Sequence, residues 1–555
     1  MVLVSAPGVV LAGGLGAPIT FSEESSARGV NFLEGPTDVR WGGGMAMVDL
    51  DLDGDLDLIL GGGFGNGVAL YENDGAGYFT IRSAGSGIFP VATSTVTVTD
   101  YDKDGYPDVF LGGWLSASRL YKNNGDFTFT DVTAAAGMSM VAPVMGSSWG
   151  DIDSDGWMDL YIPMRTGTNG NFTENKLMRN NGDGTFTDVA AALGLQAAGD
   201  PTLLSAFFDF DRDGDDDLYL GTDKGSTEPM WYNKLYRNDG GGVWTEITDD
   251  ANARGGIDCM GIAITDFDND SFFDVYLTDG INNRFYIQEE GVFVDRAVEA
   301  GVVDGDFSWG AVFADFDNDS IADLFVTSTD APNSLYPGRA MADWPMVDEA
   351  ASAGVALDSN CYTVATGDVN GDGLIDLLVG RAYGAYQLYI NTTATTNQWV
   401  RFRVDGGDSM ATNGVGTCVS LYANGKLQTE QVRSGVNYKV SEEEIVHFGL
   451  GASSVAAYVE VYFLGGEQRR LTGVPAGYEW TLYPSSRLGD VDGDGVIEMS
   501  EVRAAIAAIT GEGVDIEPGV EIFDMDGDFD IDYDDIWLMG YRYADPNGPR
   551  GPRRR

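Results

Sequence analysis

The chain has 555 residues and a formal net charge of −55, from 32 Lys and Arg against 87 Asp and Glu. That length exceeds one ordinary core and predicts several domains or a repeat array, and the acidity disfavours nucleic acid and anionic membrane surfaces as partners. Hydrophobic residues at 43%, aromatics at 11% and 76 glycines predict a folded, turn-rich β protein rather than a disordered one.

In chain order, residues 1–18 are apolar and rich in small side chains, but the first basic residue is Arg28. The segment predicts either disorder or a signal whose true start lies upstream. No stretch reaches the length of a membrane span. From Asp49 onward a nine-residue unit recurs seven times: DLDLDGDLD, DYDKDGYPD, DIDSDGWMD, DFDRDGDDD, DFDNDSFFD, DFDNDSIAD and DVNGDGLID. Carboxylates, once an Asn, occupy positions 1, 3, 5 and 9, and Gly usually stands at position 6. This alternation lets a tight loop aim hard oxygens at one point, and calcium takes six to eight such oxygens at about 2.3–2.6 Å. Clustered carboxylates repel unless a cation lies among them. Calcium loops of modest affinity suit an environment outside the cytoplasm, so the chain is expected to be secreted, extracellular or at a cell surface.

Each repeat reads as four strands. An apolar run such as SAFF enters the Asp loop, a β-rich run such as LYLGT leaves it, a third ends in a turn such as LYRNDGGG, and a fourth follows as in WTEITD. Four strands at this period are the signature of propeller blades. The seventh repeat stops at Asn391 without a fourth strand, and Ile19–Val30 carries the missing pattern, so the N-terminal segment is expected to close the ring and remove two exposed edges. The predicted fold is mainly all-β: a seven-bladed propeller over residues 19–393, a small β domain over 394–485 and a small α-helical calcium-loop module over 486–545. Cys259, Cys361 and Cys418 are too scattered for a disulfide framework.

These repeats resemble the FG-GAP and VCBS repeats of integrin α-chain-type propellers, in which the Asp loop joins the first and second strands and binds calcium. The resemblance implies as metal ligands Asp49, Asp51, Asp53 and Asp57; Asp100, Asp102, Asp104 and Asp108; Asp151, Asp153, Asp155 and Asp159; and Asp209, Asp211, Asp213 and Asp217. It adds Asp266, Asp268, Asp270 and Asp274; Asp315, Asp317, Asp319 and Asp323; and Asp368, Asn370, Asp372 and Asp376. Ser271 and Ser320 replace the position 6 glycine. Farther on, NQWVRFRV, NGVGTCVSL and HFGLG resemble the ASPIC and UnbV domain of cartilage-acidic-protein-like proteins, with a departure at Tyr462–Gly466. His447, the single histidine, reads as a packed structural residue rather than a catalyst.

DVDGDGVIEMSE carries acids at the calcium-loop positions Asp490, Asp492, Asp494, Glu498 and Glu501. DMDGDFDIDYDD offers Asp524, Asp526, Asp528, Asp532 and Asp535, with Phe529 at the glycine position. A loop and exit helix, doubled, is similar to a dockerin, whose partner would be a cohesin. With these loops the chain would hold up to about nine Ca²⁺. The tail 546–555 is basic, rich in Pro and Gly, and expected to be disordered.

The absence of a Ser/His/Asp set, a CxxC or a phosphate loop removes most familiar chemistries, so no catalytic residue is assigned and binding is favoured over catalysis. The expected function is adhesion or recognition of a protein or glycan. The alternative is a component of an extracellular polysaccharide-degrading system, since paired carboxylates for glycoside hydrolysis stay open. Two long loops between second and third strands, Met164–Lys176 and Thr222–Lys234, bring Arg165, Phe172, Lys176, Lys224, Trp231, Tyr232 and Lys234 to the face away from the Asp loops. Aromatic and basic residues on loops over a rigid scaffold suit recognition, unless the loops pack on each other.

Overall fold

The computed structural model describes residues 17–33, 42–62, 67–89, 92–113, 116–141, 143–165, 173–226, 230–358, 360–407 and 410–485, together with 488, 504, 521–524 and 535. Residues 1–16 of the segment 1–18 expected to be disordered or signal-like, Phe172, the tail 546–555 and nearly all of the C-terminal module lie outside the described residues.

Residues 21–391 build seven antiparallel sheets. The first contains Met45–Val48, Asp57–Gly61, Val68–Asn73 and Phe79–Ile81. The second contains Thr93–Thr99, Asp108–Gly113, Arg119–Asn123 and Phe129–Asp131, and the third Ser148–Gly150, Asp159–Ile162, Lys176–Asn180 and Phe186–Asp188. The fourth is Thr202–Phe208, Asp217–Thr222, Lys234–Asn238 and Trp244–Glu246; the fifth is Gly261–Thr265, Asp274–Thr278, Arg284–Glu289 and Val292–Asp295. The sixth has Ser308–Ala314, Asp323–Ser328 and Ser334–Tyr336, and the seventh Cys361–Gly367, Asp376–Arg381 and Gln387–Asn391. Phe21–Glu23 completes the seventh sheet, pairing Phe21 with Asn391 and Glu23 with Tyr389. The N-terminal strand therefore fills the place that the repeat pattern left open.

First strands neighbour one another in sequence order, and that of the seventh sheet returns to that of the first. This is the closed geometry of a propeller. A buried apolar cluster fills the space between adjacent sheets, for example Phe208, Phe273 and Phe293 between the fourth and fifth and Phe316, Phe325 and Leu377 between the sixth and seventh. The sixth repeat departs from the four-strand expectation. Pro337 follows its short third strand and has no N–H to continue a ladder, so the chain leaves the sheet there. Elsewhere the fourth strands are short; AAAL and AVEA after two of them, and AASA in the sixth repeat, form single helical turns ended by Gly194, Gly301 and Gly354 in the left-handed conformation.

Residues 398–482 form a second β body of two sheets. One orders Ile445–Gly451, Gln398–Val404 and Glu479–Leu482; the other orders Lys426–Gln431, Cys418–Ala423, Val455–Tyr462 and Gln468–Pro475. The three cysteines are buried and form no disulfide. No helix among the described residues is long and apolar enough to cross a membrane.

Removing residues 1–30 deletes the strand that pairs with Gln387–Asn391 and exposes a sheet edge. The expected outcome is a melting temperature lower by at least about 5 °C, with self-association on size-exclusion chromatography. A stable monomer would contradict the closure.

Candidate metal centres

Every Asp loop joins the first and second strands of its sheet and uses the same hydrogen-bond frame. In the first loop, the Asp49 carboxylate accepts from the backbone N–H of Asp53 at 3.2 Å and of Gly54 at 3.0 Å. Asp57 accepts from Leu50 N–H and from Asn73 N–H, both at 2.9 Å. The seventh loop repeats this with Asp368 on Asp372 and Gly373, and Asp376 on Val369 and Asn391. Position 5 caps the turn, as where Asp53 accepts from Asp55 N–H. Positions 1 and 9 are thus clamped from within the loop, and the chain must turn sharply to do it. Gly54, Gly105, Gly156, Gly214 and Gly373 have positive φ at position 6, and Leu52, Lys103, Ser154, Arg212, Asn269 and Asn318 adopt it at position 4. Ser271 and Ser320 take the glycine conformation at φ 75° and 73°, and their N–H groups still reach Asp266 and Asp315.

The frame leaves the centre of each loop short of positive charge. Carboxylate oxygens of Asp49, Asp51 and Asp53 lie within 4.8 Å of one another, as do those of Asp100, Asp102 and Asp108; Asp151, Asp153 and Asp159; Asp209, Asp211 and Asp213; and Asp266, Asp268 and Asp274. At position 3, one oxygen each of Asp51, Asp102, Asp211 and Asp268 is buried without a hydrogen-bond partner. Basic residues of the third strand occupy outer oxygens: Lys122 pairs with Asp102 and Asp104, Arg179 with Asp153 and Asp155, and Arg237 with Asp211. Clustered carboxylates that include orphaned buried oxygens are the donor set of a hard divalent cation, and the residues fit one.

Burial is the first cause of the pKa shifts here. It raises Asp49 and Asp268 to about 6 and Asp57 and Asp266 to about 8, with neighbouring carboxylates adding to the rise at Asp57, Asp266 and Asp268. Asp108, Asp159, Asp217, Asp274 and Asp376 are held well above the usual range for the same reason.

Sequence patterning missed the residue that ends the third strand. Asn123 Nδ2 donates to Leu50 O of the preceding loop at 2.8 Å and to Pro107 O of its own at 3.0 Å. Asn73, Asn180, Asn238, Gln288 and Asn391 make the same stitch to the loop before them. The signal was present as the first Asn of the Asn-Asn-Gly and Asn-Asp-Gly turns, which reads as turn chemistry alone.

The second β body docks on the Asp-loop side and sends residues 431–444 against the first strands at the middle of the ring. Lys439 O accepts from Met45 N–H in the first sheet, and Val440–Ser441 pairs in parallel with Met45–Ala46. Ser434 bonds Val98 O of the second sheet and Trp149 N–H of the third; Gln431 Oε1 accepts from Asp209 N–H at the fourth. Arg433 donates to Ile264 O of the fifth sheet, and Asn437 joins Ala311 N–H of the sixth to Val364 O of the seventh. Six first strands, and at Asp209 the start of the fourth loop, are therefore held by one segment. Around it Glu443 bridges Arg401 and Arg403 at 2.6 and 2.7 Å, and Arg401 lies 3.6 Å from Asp368. His447 pairs with Asn318 at 2.7 Å, stacks on Trp399, and burial pushes its pKa down to about 3, which fits a packed residue.

On the opposite face, Arg165 pairs with the buried Asp223, Lys176 with Asp188, and Lys224 with Asp223. Lys234 is buried against Asp200, and Tyr232 lies between Lys234 and Arg254 at 4.1 and 3.9 Å. Trp231 is half-buried beside the exposed Met230. In the C-terminal region Asp524 and Asp535 are buried, while Asp490, Asp492, Asp494, Glu498, Glu501, Asp526, Asp528 and Asp532 lie outside the described residues.

The family described as FG-GAP-like repeat matches residues 49–111, 100–162, 166–220, 209–277, 266–326 and 315–379. The family described as ASPIC and UnbV matches residues 407–488. Cartilage acidic protein 1 of Mus musculus is 24% identical over 367 residues, 65% of this chain and 48% of the relative. The Homo sapiens protein of that name is 27% identical over 169 residues, 29% of this chain and 25% of its own length. The match thus spans between a quarter and about half of these relatives. A solved Agrocybe aegerita lectin that recognises non-reducing terminal N-acetylglucosamine aligns with 54% of this chain and 78% of its own at 16% identity and a TM-score of 0.37.

Carboxylates whose pKa is raised on folding hold protons that the unfolded chain has lost, so metal-free protein is stabilised at low pH and loses that stability as pH rises through the folded values. The melting temperature of chelator-treated protein is expected to fall between about pH 5 and about pH 8, levelling off once Asp49, Asp57 and Asp266 have ionised in the folded protein. A saturating divalent cation should flatten the profile. A melting temperature that rises over this window without metal would contradict the assignment of burial as the dominant cause.

Proposed function

Because the chain belongs to the FG-GAP-like repeat family and carries an ASPIC and UnbV domain, we propose that it is a secreted or cell-surface recognition module stiffened by calcium. The Asp loops would hold Ca²⁺ through positions 1, 3, 5 and 9, and the C-terminal loops at Asp490–Glu501 and Asp524–Asp535 would add two further sites. Hard, oxygen-only donors and loops of mixed exposure suit calcium better than softer metals. The ion would supply the positive charge that the buried carboxylates lack, while this chain's own N–H groups keep the oxygens aimed.

The observation that supports the recognition reading is the docking of the second body on the Asp-loop side, where it fills the centre of the ring. A partner is left the opposite face, where the long loops of the third and fourth sheets stand. There Arg165 and Lys224 are held by Asp223, and Tyr232 is packed between Lys234 and Arg254, so little entropy of these side chains is lost on binding. A protein or glycan ligand fits this mixture of aromatic and basic groups on an acidic scaffold.

The reading is tested by screening glycans and extracellular proteins against the full chain with calcium and with EGTA. Trp231→Ala with Lys224→Ala is expected to weaken binding at least about tenfold, the loss of roughly one hot-spot residue, at unchanged melting temperature. Lys234 is unsuitable for this purpose because its buried pair with Asp200 is structural. Full binding by the double variant would place the ligand elsewhere. EGTA should also lower the melting temperature of the wild type, whereas Asp211→Ala alone should lower it less because the other loops remain.

A further inference from the structure

The seven Asp loops are not equally open. The position 5 carboxylates Asp53, Asp104, Asp155, Asp213, Asp270 and Asp372 are exposed to solvent. Their counterpart Asp319 is only partly exposed, and its neighbours Asp317, Asn318 and Ser320 are 5%, 1% and 2% exposed. The cover comes from the second body. Asn397 Nδ2 donates to Asp317 O at 2.9 Å, Gly451 N–H donates to Asn318 O at 2.9 Å, and Lys426 Nζ reaches Ser320 O at 3.3 Å. His447 holds Asn318 Oδ1 at 2.7 Å, while Asn318 Nδ2 donates to Gly373 O in the seventh loop at 2.9 Å. Gly449 lies so close that a Cβ there would sit 1.9 Å from Asp315 Oδ2. Backbone and side chains of the second body therefore close over the loop from several sides.

Resting on the metal reading above, we propose that the sixth loop holds a divalent cation trapped between the ring and the second body, which cannot leave until that body lifts. The other loops exchange their ions directly with solvent. The trapped ion links metal loading to domain docking: it fixes Asp315, Asp317 and Asp319 in the shape that Asn397, His447 and Gly451 grip, and their grip closes its exit. An ion whose escape requires a local opening is released at the rate of that opening rather than at the rate of ligand exchange.

The full chain is loaded with radiolabelled calcium, mixed with excess EGTA and filtered at intervals, and hydrogen exchange is followed over residues 397–451. The expected result is two phases, with a single ion per chain released at least about tenfold more slowly than the rest, at a rate matching hydrogen exchange in 445–451. Asp317→Asn should abolish the slow phase and leave the fast one, whereas Asp51→Asn should reduce only the fast phase. His447→Ala should accelerate the slow phase without changing the number of ions bound. Single-phase release of bound calcium overturns the trapped site while leaving the metal reading intact, as does a slow ion that persists in Asp317→Asn. No bound calcium at all overturns both. Because the biphasic release is read on the wild type, a variant that fails to fold does not remove the test.

Discussion

The structure depends on carboxylates placed where water cannot reach them. Positions 1 and 9 of each loop are buried at the junction of the first two strands, and an ionised carboxylate there costs several kcal/mol unless it is compensated. Backbone N–H groups supply part of the compensation, two to each of Asp49 and Asp57. Burial still holds the pKa values of Asp57 and Asp266 above the usual carboxylate range, so backbone donors offset it only in part. A cation among the clustered carboxylates would supply the rest, and Asp51, Asp102, Asp211 and Asp268, each with an orphaned oxygen, belong to those clusters. The loops are therefore hinges of stability rather than decoration, because each is also tied to its neighbour. Asn180 joins the third loop to Tyr101 O of the second, and Asn238 joins the fourth to Ile152 O of the third. A disturbance in one loop is transmitted to the next through these amides.

The second constraint is the row of first-strand backbone groups that faces the middle of the ring. In an open ring water would satisfy them; here residues 431–444 do. The segment brings polar side chains suited to the task, with Asn437 reaching two sheets and Lys439 donating to Gly42 O. Buried charge comes with it, and it is matched. Glu443 stands between two arginines, and Glu442 accepts from both the N–H and the hydroxyl of Thr366. The result gives the ring one closed face and one open face, a polarity that the repeats alone do not possess.

Much of this was legible before any coordinates. The seven Asp loops, the strand before and after each, and closure by Ile19–Val30 follow from period, turn residues and a count of missing strands. These are local signals repeated in register, so errors in one copy are corrected by the others. What was illegible is nonlocal or occurs once. VNYKVS within SGVNYKVSEEEI alternates like a strand, but nothing in this segment names its partners, which lie up to 397 residues away. Left-handed backbone at Leu52 or Arg212 has no residue signature, because the loop imposes it on whatever side chain stands at position 4. The fourth strand of the sixth sheet was expected from its neighbours, and Pro337 was the local exception that repeat averaging concealed.

Sequence departures that look like defects in separate repeats converge on one region of the second body. The fifth and sixth loops carry Ser where the others carry Gly, and a serine held at positive φ is strained by about 1 kcal/mol. Both serines face the same strand, Lys426–Gln431: Thr429 Oγ1 lies 3.3 Å from Ser271 Oγ, and Lys426 Nζ lies 3.3 Å from Ser320 O. The sixth repeat has also lost its amide stitch, since Gly338 N–H occupies the Asp323 site that Asn or Gln fills elsewhere. It has lost its fourth strand as well. Contacts from Asn397, His447 and Gly451 stand where those internal supports are missing. The weakest repeat by its own sequence is thus the one most firmly held from outside, and the ring and its second body are parts of one folding unit at that point.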